Sequence, residues 1–171
     1  MKKFTVALAG NPNAGKSSIF NALTGSRQHV GNWPGKTVEK KEGVFQRDGL
    51  EINVVDLPGT YSLTAFSPEE VIARDYLIHQ KPDVVVTVLD SANLERNLYL
   101  AVQILELGSR VIAALNMLDV ADSRGIKVDI PAFSQALGVP VVKTVASRGE
   151  GIGDLVDEIL SIAKDGITHE G

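Results

Sequence analysis

The sequence predicts an α/β fold: a mostly parallel six-stranded sheet with one antiparallel edge strand and helices on both faces. Three observations lead there. Short Val-rich apolar runs alternate with amphipathic segments along the 171 residues, the pattern of parallel strands buried on both faces and joined by crossover helices. A Gly-rich loop, Gly10-Asn11-Pro12-Asn13-Ala14-Gly15-Lys16-Ser17, separates the first apolar run from the first amphipathic one. An Arg47-Asp48-Gly49-Leu50 turn joins two further runs as a hairpin, because Asp-Gly supplies tight-turn geometry.

In order, strands are expected at 4–9, 43–47, 52–55, 84–89, 111–115 and 139–145, each rich in Val and bounded by turn residues. Helices are expected at 16–23, 69–79, 97–107, 130–137 and 153–163. The second helix is announced by Ser67-Pro68-Glu69-Glu70: an N-cap, a first-turn proline and carboxylates facing the helix dipole. Gly25, Gly108 and Gly138 stand where helix ends need a left-handed residue. One domain is expected over 1–165, with 166–171 a tail that begins a following segment.

Composition narrows the function. The content is 44% hydrophobic and 22% charged, with a net charge of −4, which describes a globular chain and gives no support to non-specific nucleic-acid binding. There are no cysteines, so disulfides, thiolate metal sites and cysteine nucleophiles are excluded. The apolar stretch after Met1-Lys2-Lys3 is too short for a secretory core, and no run reaches the length of a membrane span. His29, His79 and His169 show no metal-ligand spacing. Glu39-Lys40-Lys41-Glu42 mixes both signs and reads as a solvated strand edge.

The chemistry concentrates in five segments. The loop from Gly10 to Ser17 matches G-x-x-x-x-G-K-S in full, the phosphate loop of P-loop NTPases, in which inward N–H groups and a helix N-terminus meet phosphate oxygens. Lys16 is expected to neutralise the β- and γ-phosphates, and Ser17 to coordinate Mg²⁺. Asp56-Leu57-Pro58-Gly59 ends the third expected strand; Asp56 there can hold Mg²⁺ through water, and the Gly59 N–H can sense the γ-phosphate. Asn116-Met117-Leu118-Asp119 follows the fifth strand. The Asp119 carboxylate can accept both guanine N1–H and the 2-amino group, while Asn116 can bond the O6/N7 side. Adenine would leave the carboxylate unpaired, so this segment selects GTP over ATP. Val145-Ala146-Ser147 follows the sixth strand, and the Ala146 N–H can donate to guanine O6. Finally, residues 30–39 include Gly35 and Thr37; the threonine can add its hydroxyl and carbonyl to the Mg²⁺ site. Glycine, proline and a lone tryptophan mark this last stretch as mobile, with Trp33 packed on the surface.

The expected nucleotide set is therefore Gly10, Asn11, Pro12, Asn13, Ala14, Gly15, Lys16, Ser17, Ser18, Gly35, Thr37, Asp56, Gly59, Asn116, Met117, Asp119, Val145, Ala146 and Ser147. GTP or GDP is the ligand, and Ser17, Thr37 and Asp56 serve Mg²⁺.

In this order the motifs resemble the small GTPases. Asn11-Pro12-Asn13 before Gly15-Lys16-Ser17, Gly31-Asn32-Trp33-Pro34-Gly35, Asp56-Leu57-Pro58-Gly59-Thr60-Tyr61-Ser62-Leu63 and Ala73-Arg74-Asp75-Tyr76 look like the cytoplasmic G domain of the ferrous iron transport protein B (FeoB) family. The resemblance covers nearly the whole chain. It implies a following helical domain and a polytopic membrane region as partners, a place at the cytoplasmic face of the cell (inner) membrane, and the possibility of an oligomer through the full-length protein. It implies a first switch over 28–39 and a second over 59–70. It further implies that Asn13 helps bind K⁺ beside the phosphates, so that Asn13, Lys16, Thr37 and Gly59 carry catalysis.

Three positions depart from the pattern. Thr60 stands where signalling GTPases place a water-orienting glutamine, which implies slow intrinsic hydrolysis. Val145 stands where a Ser or Thr is usual, and Lys36 where a small apolar residue is expected. The function expected is slow GTP hydrolysis regulating a ferrous iron transporter. Two alternatives are a ribosome-assembly or tRNA-modification GTPase, and a GTP sensor with negligible hydrolysis.

Overall fold

The computed structural model describes residues 2–64 and 66–170, with side chains described for all but 167–170 among these. Met1, Ala65 and Gly171 lie outside the described residues, and with them one residue of the expected second switch and the end of the expected tail.

Seven strands form one sheet in the order β2-β3-β4-β1-β5-β6-β7. They are β1 (Lys2–Gly10), β2 (Gln28–Asn32), β3 (Glu39–Arg47), β4 (Leu50–Asp56), β5 (Val84–Asp90), β6 (Val111–Asn116) and β7 (Val141–Lys143). Six helices accompany them: α1 (Lys16–Thr24), α2 (Pro68–His79), α3 (Leu94–Glu106), α4 (Leu118–Ser123), α5 (Ile130–Leu137) and α6 (Ile152–Glu170). β1 pairs parallel with β4 and β5, and the parallel set continues through β6 and β7. β3 runs against both its neighbours.

Alternation along β1 divides the core. Val6 and Leu8 face a layer built with Ile19, Phe20 and Leu23 of α1 and Leu155 and Ile159 of α6. Ala7 and Ala9 face the opposite layer, with Ile72, Ala73 and Leu77 of α2 and Leu100 and Ile104 of α3. A period of two on the strands and about 3.6 on the helices yields this sandwich directly.

Several expectations need correction. The sheet has seven strands rather than six, because residues 28–32 pair with β3 from Gln28↔Gly43 to Asn32↔Glu39. β3 is still the only strand against the rest, but it is not the edge; β2 covers it. Glu39-Lys40-Lys41-Glu42 is accordingly an interior strand segment paired on one side with β2 and, from Lys41, with β4 on the other. α3 begins three residues before its expected start at 97, after a single 3₁₀ turn at Ser91–Asn93. β7 is shorter than 139–145: its ladder with β6 runs from Ala113 N–H to Pro140 O as far as Thr144 N–H to Leu115 O, after which the chain enters the 3₁₀ turn at Ala146–Arg148. α4 was not foreseen, and α6 continues into the stretch expected as a tail, as far as Glu170.

Other features match the sequence. Ser67 Oγ accepts from Glu70 N–H at 3.2 Å, with Pro68 opening α2. The β3–β4 turn places Asp48 at φ 54° and Gly49 at φ 77°, the paired left-handed geometry that the Asp-Gly pair predicts.

Candidate nucleotide site

Everything with chemical potential at this site lies at the carboxyl ends of the parallel strands, where open α/β sheets place their ligands. β1 ends at Gly10, the chain loops through 11–15, and α1 starts at Lys16. The loop needs unusual backbone: Asn13 has φ 68° and Gly15 φ 93°. A Cβ on Gly15 would also collide with the Asn116 side chain. Ala14 N–H donates to Asn11 O at 3.2 Å, whereas the N–H groups of Gly15, Lys16 and Ser17 have no acceptor among the described residues. Unsatisfied donors at a helix start are an anion seat. Asn11 is buried and its Oδ1 has no partner.

Lys16 and Asp56 converge at the mouth of this loop. Lys16 Nζ lies 2.5 Å from Asp56 Oδ1, with both side chains about nine-tenths buried. Burial pushes the Asp56 carboxyl above its ordinary value, and the facing Lys16 ammonium opposes that rise. β4 delivers Asp56 here through its register with β1, which sets Leu8 opposite Asp56. Just beyond, the Thr60 N–H donates to Gly10 O at 3.1 Å. Gly59 lies so close to Pro12 that a Cβ would stand 3.2 Å from Pro12 Cα. The Gly59 N–H has no acceptor among the described residues.

Asn116 ties the far end of the site together. Its Nδ2 donates to Ala14 O at 2.9 Å, and its Oδ1 accepts from Thr144 Oγ1 and Ala146 N–H, each at 3.0 Å. This bears on two expectations. The Asn116 oxygen is held inside the protein, which leaves its second Nδ2 N–H as the group that could meet guanine O6/N7, and the Ala146 N–H is already engaged with that oxygen. Thr144 was missed in the sequence; a buried polar residue closing a Val-rich run was its only signal. Asp119 is the second residue of α4, whose N-cap Met117 sits at φ 60°. Its carboxylate is about one-third exposed and lies 3.8 Å from Arg148 Nη2. Both residues border a cavity of about 300 Å³ that also includes Lys143, Thr144 and Val145. Arg148 is the second residue that sequence reasoning missed.

The structure does not bring every expected residue together. Ser17 is exposed at the start of α1 and Ser18 half-buried, while Ser147 is exposed in a 3₁₀ turn (Ala146–Arg148). Gly35 and Thr37 are exposed in the β2–β3 connection and make no hydrogen bond to the phosphate loop among the described residues. That connection is held by Trp33 N–H to Val38 O and Lys36 N–H to Trp33 O, both at 2.9 Å. Trp33 is not on the surface. It is 6% exposed, inside the α2–α3 core layer, edge-on to Tyr76 at 5.7 Å and under Lys40 Nζ at 4.7 Å.

A phosphate loop on β1, an acidic strand end on β4 and an Asn-x-x-Asp segment after β6, placed around one crevice, define a G domain of the small-GTPase class. Comparison with known proteins gives the family. The family model described as ferrous iron transport protein B matches residues 4–159, and the chain belongs to that family as its N-terminal G domain. The Fe(2+) transporter FeoB of Escherichia coli K12 is 52% identical over 169 residues, covering 96% of this chain and 21% of the relative. The chain thus spans about a fifth of the length of such curated relatives. The FeoB G domain from Methanococcus jannaschii superposes with a TM-score of 0.85 at 48% identity, covering 96% of this chain and 99% of that one. The cytosolic domain of T. maritima FeoB in its GMPPNP form gives 0.89 at 52% identity, covering 92% and 63%.

Proposed function

We propose that this domain binds GTP and GDP with Mg²⁺, hydrolyses GTP slowly, and acts as the nucleotide-driven regulator of a ferrous iron transporter. The observation that carries the reading is the meeting of Lys16 and Asp56, forty residues apart in sequence, at the mouth of a loop whose helix-start N–H groups lack acceptors. A lysine and a carboxylate held together there are the two charges that a magnesium nucleotide separates: Lys16 to the phosphates and Asp56 to the metal's water shell. Ser17 and Thr37 would complete the Mg²⁺ ligands, and the ion would supply charge neutralisation at the β- and γ-phosphates. Thr37 has to travel from its exposed position to do so, which is the movement a switch requires.

Guanine selection falls to Asp119, with Met117, Val145, Ala146 and Ser147 around the base. The relatives are Fe(2+) transporters, so the domain belongs at the cytoplasmic face of a membrane, with residues 1–165 as the G domain and the chain continuing into helical and membrane-spanning partners. No helix among the described residues is long and apolar enough to cross a membrane.

Thr60 favours a second reading, a sensor that hydrolyses almost nothing. It is buried and fixed through its N–H to Gly10 O, and its side chain has no amide with which to orient a water. K⁺ held by Asn13, which is exposed at the turn of the loop, would replace part of the missing charge. The experiment is GTP turnover in KCl against NaCl at equal ionic strength, for wild type and Asn13→Ala. Turnover about tenfold or more faster in K⁺, lost on substitution, is the expected result for stabilised transition-state charge. Equal slow rates in both salts would leave the sensor reading, and failure to bind GDP would overturn the whole assignment.

A further inference from the structure

Residues on one face of α3 grip the stretch of chain that follows Gly59. Arg96 and Gln103 stand seven positions apart in α3, about two helical turns, and so share a face. The Leu63 N–H donates to Gln103 Oε1 at 2.7 Å, in a bond partly shielded from solvent. Leu63 itself is buried in the α2–α3 layer. Gln103 makes no second hydrogen bond among the described residues, so the amide serves through its oxygen alone. Two residues before Leu63, the Arg96 guanidinium stands 4.4 Å from the centroid of the Tyr61 ring. Just before that, the Thr60 N–H is bound to Gly10 O at 3.1 Å and Gly59 abuts Pro12. The stretch from Gly59 to Leu63 is therefore fixed at one end to the phosphate loop and at the other to α3, with a cation on a ring between.

We infer that Gln103 is a positioning residue for the γ-phosphate: by holding Leu63 it keeps the Gly59 N–H aimed at the phosphate loop, and Arg96 adds to the hold through Tyr61. The inference rests on the reading of Gly59 as the γ-phosphate sensor. Glycine has only its backbone N–H to offer, and a hydrogen bond weakens steeply when its donor swings out of line. A nucleotide without a γ-phosphate does not use that N–H, so GDP binding is indifferent to the hold. A triphosphate needs the N–H in place. Without Gln103 it must order the stretch as it binds, and its affinity falls by that ordering free energy.

The experiment is calorimetric titration of the purified chain with GDP and with GMPPNP, both with Mg²⁺, for wild type, Gln103→Met, Gln103→Glu and Arg96→Ala. Methionine keeps the length of the side chain and removes the acceptor; glutamate keeps the acceptor. The expected result for Gln103→Met is GMPPNP affinity about tenfold weaker with GDP affinity within about twofold of wild type. Gln103→Glu should restore the GMPPNP affinity. Arg96 is exposed, so Arg96→Ala should fold like wild type and weaken GMPPNP alone by about two- to threefold. Equal losses for the two nucleotides, no loss for either, or the same loss in Gln103→Glu as in Gln103→Met would each overturn the inference. If wild type binds both nucleotides and Gln103→Met leaves their ratio unchanged, only the role of Gln103 falls. If wild type binds neither, the reading of the domain falls and the inference falls with it.

Discussion

Asp119 keeps one carboxylate oxygen 3.8 Å from Arg148 Nη2 while about a third of its side chain is exposed. To read guanine it must offer both oxygens, so the base and Arg148 compete for the same acceptor. Asp119→Asn replaces an acceptor pair by one acceptor and one donor. The expected outcome is GDP affinity lowered by about a hundredfold, with a gain for xanthine nucleotides, whose 2-oxo group needs a donor. Titration with a fluorescent GDP and its xanthine analogue checks it; unchanged GDP affinity would remove Asp119 from base recognition. Arg148→Ala frees the carboxylate. Because an exposed pair is worth little, the expected gain in GDP affinity is only about two- to fivefold. In the Asp119→Asn background the same substitution should do nothing. If Arg148→Ala weakens binding in both backgrounds, Arg148 holds the nucleotide rather than competing with it.

Elements differ in how far their sequence specifies them. The phosphate loop is legible because a fixed chemical task fixes its spacing, and the central strands because burial on both faces leaves continuous Val-rich runs. β2, Gln28–Asn32, has one β-branched residue in five. Its strand character comes from pairing with β3, a tertiary effect that local propensity does not carry. α4 is six residues long, too short to show a helical period. Trp33 was misplaced for the same reason as β2: once the hairpin closes, the indole is turned into the α2–α3 layer. Trp33→Ala should cost about 3–5 kcal/mol and lower the melting temperature by roughly 10 °C or more, measurable by calorimetry; a loss near zero would mean the seat is not closed in solution.

The start of α2 makes a separate, acid-sensitive prediction. Glu70 Oε2 accepts from Thr64 Oγ1 at 2.7 Å and from Ser62 Oγ at 3.1 Å. The Thr64 hydroxyl, above all, holds its carboxyl below the usual range. A carboxyl lowered by folding stabilises the fold above its unfolded pKa, and that contribution disappears as the pH falls through the lowered value. Glu70 is half-buried at the surface, where solvent screens it, so the effect is small and local. Amide protection of residues 62–70, corrected for the intrinsic pH dependence of exchange and compared between about pH 6 and pH 3, should fall more in wild type than in Thr64→Val. Parallel behaviour of the two proteins would show that the hydroxyl does not set the titration.

At the scale of the whole molecule, the phosphate-binding and base-reading ends of the crevice are joined through one side chain. Asn116 links Ala14, which follows β1, to Thr144 and Ala146, which follow β7. No sequence pattern announces this, since it exists only when three distant segments meet. Asn116→Ala would leave the buried Ala14 carbonyl and the Ala146 N–H without partners, while the Thr144 hydroxyl keeps its bond to Leu115 O. The expected cost is about 2–4 kcal/mol, or roughly 5–15 °C in melting temperature for a domain of this size. Thr144→Val removes one of the Asn116 bonds together with the longer bond to Leu115 O, and should cost about 1 kcal/mol. The two variants separate stability from coupling. Thr144→Val leaves the Asn116–Ala14 bond in place and should bind GDP like wild type. Asn116→Ala lets the phosphate loop move independently of the base-reading segment, so it should lose affinity as well, and excess GDP should recover part of the melting temperature by mass action. If both variants melt alike and bind GDP alike, the two ends of the site are positioned by the sheet alone and the asparagine link is dispensable.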